Sequence, residues 1–222
     1  MLRRYLGSIL LGFVVAFFTS GLEARARAAE EVSHEAGVFD YYVLSLSWSP
    51  TYCLTHPHDS PQCTIQKGFG FVLHGLWPQY AKGGYPQNCA TADRLTSEAI
   101  AFGNTIFPSP KLIDHEWGKH GTCSGLNALD YFKVSDQVRT SVKVPVALDS
   151  PEKTQYLTAA QIIASIVAEN PGMSKEALAV ACSGPRLSEV RVCFDRQLSP
   201  MACGKDVRST CGRKEIRVPA VR

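Results

Sequence analysis

The sequence lacks a hydrophobic run long enough to cross a membrane. The longest apolar stretch, residues 5–18, contains about 14 residues, whereas a spanning helix needs about 20. Arg3 and Arg4 precede this stretch, and small residues follow it at a suitable cleavage point, so we expect residues 1–28 to be a signal peptide. Residues 29–222 are predicted to form one exported domain without membrane association.

The mature chain also lacks an excess of charge of either sign. The predicted signal peptide contains four arginines and one glutamate. Its removal lowers the number of basic residues from 23 to 19 and the number of acidic residues from 20 to 19. A long groove that neutralises many phosphates needs a clear basic excess. Any contact with nucleic acid is therefore expected to be confined to a pocket.

Neither a CxxC pair nor an Asn-x-Ser/Thr glycosylation sequence occurs. All eight cysteines follow the leader, and an even number in an exported chain favours disulfides over metal ligands. The spacing of Cys182, Cys193, Cys203 and Cys211 suits two nested bridges. The missing glycosylation sequence favours the bacterial periplasm or the extracellular medium as the location.

The hydrophobic pattern predicts a mixed fold. Residues 39–48, 69–76, 186–194 and 215–218 have the composition of strands. Apolar residues at helical spacing predict helices at 95–102, 112–119, 129–138 and 159–167, and Ser174 begins a further predicted helix that reaches Ala181. Because helices are grouped in the middle without βαβ alternation, we expect an α+β fold with a mainly antiparallel sheet and disulfide bridges.

The densest group of ionisable residues is the run HEWGKH. On a helix, His115 lies beside Lys119 and Glu116 beside His120, so the four groups share one broad face. Lysine and a protonated histidine neutralise phosphate oxygens, while a neutral histidine exchanges a proton at ordinary pH. The pattern favours phosphoryl chemistry over a plain amphipathic surface.

A zinc site of the HExxH type is the nearest alternative for this run. That motif needs its second histidine four residues after the first, where this chain has Lys119, and His115 and His120 are five residues apart. A lysine between them repels a metal ion, so we expect no metal or other cofactor. A metal-dependent phosphodiesterase, which would fail in chelator, is the corresponding functional alternative.

In-line cleavage of a phosphodiester needs a second proton-transfer group, because one oxygen loses a proton while the leaving oxygen gains one. His74 is the candidate. It lies at the end of a hydrophobic strand, and a turn containing Gly75 and Pro78 is expected to expose it at the rim of the sheet. Trp77 either packs in the core or offers a face to a nucleobase.

These two segments resemble the active-site segments of the ribonuclease T2 family, the acid, cyclising ribonucleases. The matching stretches are FVLHGLWP at 71–78 and HEWGKHGTC at 115–123, and weaker similarity extends from residue 39 to the late cysteines. The resemblance implies metal-independent cleavage of single-stranded RNA, not DNA. We expect the protein to be a monomer. The products would be a 2′,3′-cyclic phosphate and then a 3′-phosphate.

The resemblance also implies a role for each residue. His74 would be the general acid and His120 the general base, His115 would bind phosphate, and Glu116 with Lys119 would stabilise the pentacoordinate transition state. The implied disulfides are Cys53 to Cys63, Cys89 to Cys123, Cys182 to Cys211 and Cys193 to Cys203.

Trp77 and Tyr85 match positions at which the family stacks the base on the 5′ side of the cut. Gln79 departs from the acidic residue that many relatives carry after Trp-Pro, so we expect weak base selectivity, since an amide both donates and accepts hydrogen bonds. An RNA-binding protein that kept the fold but lost catalysis is the remaining alternative. The presence of every expected catalytic residue type argues against it.

Overall fold

The computed structural model describes residues 34–221, which contain one six-stranded sheet and seven α-helices. The strands are β1 (Tyr41–Trp48), β2 (Phe71–Gln79), β3 (Gln155–Leu157), β4 (Leu178–Ser183), β5 (Arg186–Phe194) and β6 (Ile216–Val218). The helices are α1 (Ser49–Thr55), α2 (Ser60–Cys63), α3 (Ser97–Ile106), α4 (Pro110–Lys119), α5 (Ala128–Ser141), α6 (Val146–Asp149) and α7 (Ala159–Glu169). The predicted signal peptide, residues 1–28, lies outside the described residues.

The sheet is mainly antiparallel, as predicted. Its order is β2-β1-β5-β6-β3, with β4 also paired to β5, and only the β5 to β6 pair is parallel among the described strands. The α+β prediction is therefore confirmed. No helix within residues 34–221 is both long and apolar enough to cross a bilayer.

One face of the sheet carries the main core. Leu44 and Leu46 of β1 lie opposite Val192 and Val190 of β5, and all four are buried. Helix α5 packs against this layer, and the hydroxyl of its buried Tyr131 donates to a carbonyl of β2 at 2.9 Å. The middle of the opposite face is polar, which leaves room there for a functional site.

A β-bulge in the edge strand β2 determines where His74 lies. Ser45 of β1 pairs with Gly75 and Leu46 pairs with Leu73, so His74 is an extra residue between two ladder positions. Bulges of this kind redirect a side chain and are common beside active sites. The expectation of a turn containing Gly75 and Pro78 was wrong: β2 continues through Pro78, because an edge strand tolerates a residue without an N–H.

The helix predicted from Ser174 to Ala181 is also corrected. Only a single 3-10 turn forms at Lys175–Ala177, and β4 follows at once. The run Leu-Ala-Val-Ala is too short for its periodicity to separate a strand from a helix, and hydrogen bonding with β5 decided between them. The other predicted helices and strands are present, with ends shifted by a few residues.

Four disulfides staple the domain, and the described residues contain no free cysteine. They join Cys53 to Cys63, Cys89 to Cys123, Cys182 to Cys211 and Cys193 to Cys203, which is the pairing that the family resemblance implies. The bridge from Cys89 to Cys123 ties the loop after β2 to the turn after α4, so it links the segments that contain the two histidine motifs.

Removal of the Cys89 to Cys123 bridge by a double alanine substitution should destabilise the protein by about 2–5 kcal/mol. The closed loop spans 34 residues, against 10 for Cys53 to Cys63, so the first pair should lower Tm more than the second in a two-variant comparison. Alkylation with mass spectrometry should find no reactive thiol in the native protein. Four or more alkylated cysteines would contradict the bridges.

Candidate active site

The residues predicted to carry the chemistry lie around one open cavity of about 400 Å³ on the polar face of the sheet. Strand β2, helix α4 and strand β5 supply its walls. All eight non-cysteine residues singled out in the sequence line it: His74, Trp77, Gln79, Tyr85, His115, Glu116, Lys119 and His120. Three further residues, which no sequence motif had indicated, also line it: Arg191, Asp206 and Val207.

The end of α4 presents the ionisable cluster. The helix ends at Lys119, and His120 is the first residue beyond it, so His120 leaves the helical face that His115 and Lys119 occupy. A side chain at Gly121 would collide with the buried rings of Trp117 and Tyr131, which explains why glycine follows the histidine. Trp117 packs in the core and anchors the helix.

Strand β2 and helix α4 meet around the buried carboxylate of Glu116. The backbone at Gly75 approaches this carboxylate so closely that any side chain there would overlap it. The indole N–H of Trp77 donates to Oε2 of Glu116 at 2.8 Å. Oε1 of Glu116 lies 3.9 Å from Nε2 of both His74 and His115 and has no hydrogen-bond partner within residues 34–221.

Burial dominates the protonation of Glu116. It raises the pKa of this carboxyl to about 7, although the nearby charge of His74, the hydrogen bond from Trp77 and the charge of Lys119 all act in the opposite direction. The group therefore carries a proton through the acidic range. Its free Oε1 is then able to donate a hydrogen bond into the cavity.

His74 is held from behind by a carboxylate of β5. Its Nδ1 lies 2.9 Å from Oε2 of Glu189, whose Oε1 accepts a 2.6 Å hydrogen bond from Nε of Arg191. Burial alone would lower the pKa of His74, but the hydrogen bond to Glu189 and the charges of Glu116 and Glu189 outweigh it and raise the pKa. The bond leaves Nε2 of His74 directed toward Glu116 and the cavity.

Glu189 itself stays ionised. Burial would raise its pKa, but the hydrogen bond from His74 and the charge of Arg191 bring the pKa to about 2. Local sequence patterns do not point to this residue, which is 115 positions from His74. The available signal was one glutamate inside the predicted strand 186–194, where a buried carboxylate needs a partner.

The pKa of His120 shifts in the opposite direction to that of His74. This histidine is 4% exposed, and burial followed by the positive charges of Lys119 and His115 lowers its pKa to about 3. The pKa of the more exposed His115 is lowered too, by burial and then by Lys119. The cavity therefore favours a protonated His74 and a neutral His120 at the same pH.

The aromatic residues of the cavity differ in how much surface they offer. His120 stacks on Trp77 at 5.3 Å between ring centres, and the guanidinium of Arg191 lies 5.5 Å from the Trp77 ring centre. Tyr85 is more open, with 38% of its surface exposed. Gln79 is buried, and its Nε2 already donates to the neighbouring carbonyl of Pro78.

No group of three or more His, Cys, Asp or Glu side chains among residues 34–221 converges in a way that would hold a metal ion. The acidic and basic side chains of the cavity instead lie next to one another. Glu116 and Glu189 lie between His74, His115 and Arg191, so each carboxyl contacts a nitrogen base. This arrangement suits proton transfer beside an anionic group.

Sequence comparison finds relatives among ribonucleases. A protein named "Ribonuclease" from Aeromonas hydrophila is 44% identical over 138 residues, which cover 62% of this chain and 59% of that protein. A "Probable ribonuclease" of Haemophilus influenzae is 30% identical over 178 residues, which cover 74% of this chain and 61% of that protein. The matched part of the chain thus spans about three fifths of the length of these two relatives.

The fold is also similar to solved structures. A mutant of ribonuclease MC1, an enzyme from bitter gourd seeds, was solved in complex with 5′-UMP and superposes with a TM-score of 0.62 at 26% identity. The match covers 79% of this chain and 96% of that one. The model of the ribonuclease T2 family matches residues 39–203, a span that contains every residue of the cavity except Asp206 and Val207. The chain therefore belongs to the ribonuclease T2 family.

Proposed function

We propose that the protein is an endoribonuclease that cleaves single-stranded RNA by transphosphorylation. The observation that carries the proposal is the pair of histidines, His74 and His120, which one cavity holds with opposite protonation tendencies. In-line cleavage needs one group that accepts a proton and another that donates one. The 5′-UMP complex of ribonuclease MC1 supports a nucleotide as the occupant of such a cavity.

In the first step, neutral His120 takes the proton of the ribose 2′-OH. The 2′-oxygen attacks the adjacent phosphorus, the bond to the departing 5′-oxygen breaks, and His74 gives that oxygen a proton from Nε2. The product is a 2′,3′-cyclic phosphate, and the two histidines have exchanged protonation states. Water then opens the ring with their roles reversed, which yields a 3′-phosphate and restores the enzyme.

Three neighbouring groups stabilise the charge that develops on the phosphorane. Lys119 supplies a positive charge, and His115 lies at the more exposed side of the cavity, where it binds phosphate. Glu116, when protonated, donates from Oε1 to a non-bridging oxygen. Since these donors are fixed by helix α4, little reorganisation is needed when the charge appears.

The mechanism assigns no step to a metal ion, because the 2′-OH is the nucleophile and the histidines move the protons. It follows that DNA is not cleaved. Four disulfides suit an oxidising compartment. We therefore propose export to a bacterial periplasm or the medium, after removal of residues 1–28, and action as a monomer.

An oligonucleotide with one 2′-deoxyribose tests the nucleophile. Cleavage on the 3′ side of the deoxy position should vanish, while neighbouring bonds are cut at the normal rate, with or without EDTA. His120→Ala should lower kcat by roughly 10²–10⁴ on an all-ribose strand. Cleavage at the deoxy position would refute the cyclising mechanism, and loss of activity in EDTA would favour the metal-dependent phosphodiesterase.

Activity should follow a bell-shaped pH curve with its maximum on the acidic side of neutrality. It rises as His120 loses its proton, near pH 3, and falls as His74 loses its proton above its usual pKa of about 6.5. Glu189→Gln keeps a hydrogen-bond acceptor but removes the charge, so the alkaline limb should move down by about 1 pH unit or more.

Two further variants separate charge from structure in this experiment. Glu189→Asp should restore part of the shift, and Glu215→Gln, which removes an exposed carboxylate elsewhere, should leave both limbs in place. An unchanged alkaline limb in Glu189→Gln, at normal Tm, would show that Glu189 does not act on His74.

Trp77 contributes a ring and an N–H, which two substitutions separate. Trp77→Ala should raise KM for dinucleotides, since stacking of a base on an aromatic ring contributes about 1–3 kcal/mol. Trp77→Phe keeps a ring but removes the donor to Glu116, so it should lower kcat more than it changes KM. Unchanged KM in Trp77→Ala together with a lower Tm would reduce Trp77 to a packing role.

A further inference from the structure

A second cavity, of about 280 Å³, lies beyond the active site, where β5 and β2 begin and β1 passes into α1. Three basic residues line it: Lys67, Arg186 and Arg217. No aspartate or glutamate contributes to its lining. In a mature chain with balanced charge, this is a local concentration of positive charge.

Arg186 and Arg217 face each other across neighbouring strands. They are the paired residues of the parallel β5 to β6 ladder, so their side chains leave the sheet on the same side. Like charges in directly opposed positions destabilise a sheet. Two arginines in these positions therefore need a partner that neutralises their charge.

Nothing within residues 34–221 does so. No carboxylate lies within 4.0 Å of a side-chain nitrogen of Arg186, Arg217 or Lys67 in this part of the chain. Nε of Arg186 is moreover buried without a hydrogen-bond partner. A buried donor left unpaired costs about 1–3 kcal/mol, so an anion in the cavity would relieve both the repulsion and the missing bond.

The arginines share the sheet face of the active site. Ile216 and Val218 are buried in the main core, which directs Arg217 to the opposite face. In β5, Glu189 pairs with Ala181 of β4 but Leu187 pairs with the next residue, Cys182, so a bulge at this point reverses the alternation. Leu187 consequently joins the core, and Arg186 lies on the same face as Glu189 and Arg191.

The distance along β5 between Arg186 and Arg191 is comparable to the length of a few nucleotides. Arg186 and Arg191 are five residues apart, which corresponds to about 16 Å at the rise of an extended strand. Arg191 lines the catalytic cavity. A strand of RNA whose scissile phosphate lies beside His74 would therefore bring a phosphate a few nucleotides away to the second cavity.

We propose that this second cavity is a binding subsite for a backbone phosphate of the RNA substrate, remote from the bond that is cut. Arg186 and Arg217 are the principal ligands, because planar guanidinium groups bind phosphate through paired hydrogen bonds. Leu54 and Ile65, which also line the cavity and are 56% and 76% exposed, provide apolar surface for a sugar or base. The inference rests on the proposed ribonuclease function.

Substrate length tests this subsite. Two substrates are compared: a dinucleotide, which cannot reach the second cavity, and a strand of about 20 nucleotides with a single ribonucleotide among deoxynucleotides. Arg186→Gln with Arg217→Gln should lower kcat/KM about tenfold on the strand at low salt and leave the dinucleotide unchanged. The slope of log kcat/KM against log salt should fall by about 0.7 for each phosphate that the double variant no longer binds.

The matched control is Arg208→Gln with Arg213→Gln, which removes the same charge from exposed positions that do not line the cavity. An equal decrease in this control would show general electrostatic attraction and overturn the subsite. Arg217→Glu alone, at an exposed position, guards against misfolding of the double variant and should reduce cleavage of the strand further. Wild-type rates on the strand for both variants would also overturn it.

Direct binding separates this proposal from the proposed function. An all-deoxy strand, which the enzyme cannot cut, should bind the double variant about tenfold more weakly than the wild type in fluorescence anisotropy. Weaker binding of the strand by the double variant supports the subsite, even if the wild type cleaves no RNA. Absence of cleavage by the wild type would refute the ribonuclease function. If inorganic phosphate stabilises only the wild type and strand binding is equal, the cavity binds free phosphate and not RNA.

Discussion

The buried carboxylate of Glu116 is the contact on which the active site depends. It lies where strand β2 and helix α4 come closest, with glycine at position 75 and the Trp77 N–H as its fixed donor. A carboxyl group in such a place is stable only if neighbouring groups bond to it or supply its proton. The histidines His74 and His115, each 3.9 Å from its second oxygen, are arranged around it. One polar group thus aligns two segments that are far apart in the sequence.

A second constraint explains how two similar imidazoles acquire different properties. His74 contacts the ionised carboxylate of Glu189, whereas His120 is buried next to cations and its Nδ1 has no partner within the described residues. Burial disfavours the charged form of both rings, so the sign of the neighbouring charges decides the outcome. The direction of both pKa shifts agrees with His74 as acid and His120 as base, the roles implied by the family resemblance.

The layered architecture separates stability from chemistry. Helices α3 to α7 and most apolar side chains contribute to the core on one face of the sheet, and the four disulfides cross-link the loops. The other face is free to carry Glu189, Arg191 and, further along the same strand, Arg186. With the proposed subsite, these charged positions on β5 would follow an extended anionic chain, although residues 29–222 contain as many acidic as basic residues.

The sequence by itself determined the class of fold, most helices and strands, and the identity of the HEWGKH cluster and His74, because these depend on local periodicity and on residue types at short spacing. Local patterns could not reveal that His74 occupies a bulge within β2, that β4 is a strand, or that Glu189 contacts His74. Each of these follows from strand pairing between distant segments, and the pKa differences follow from burial that only packing creates. The sequence specified which groups are available, and the tertiary structure decided which of them carry charge, because desolvation and neighbouring charges act through space.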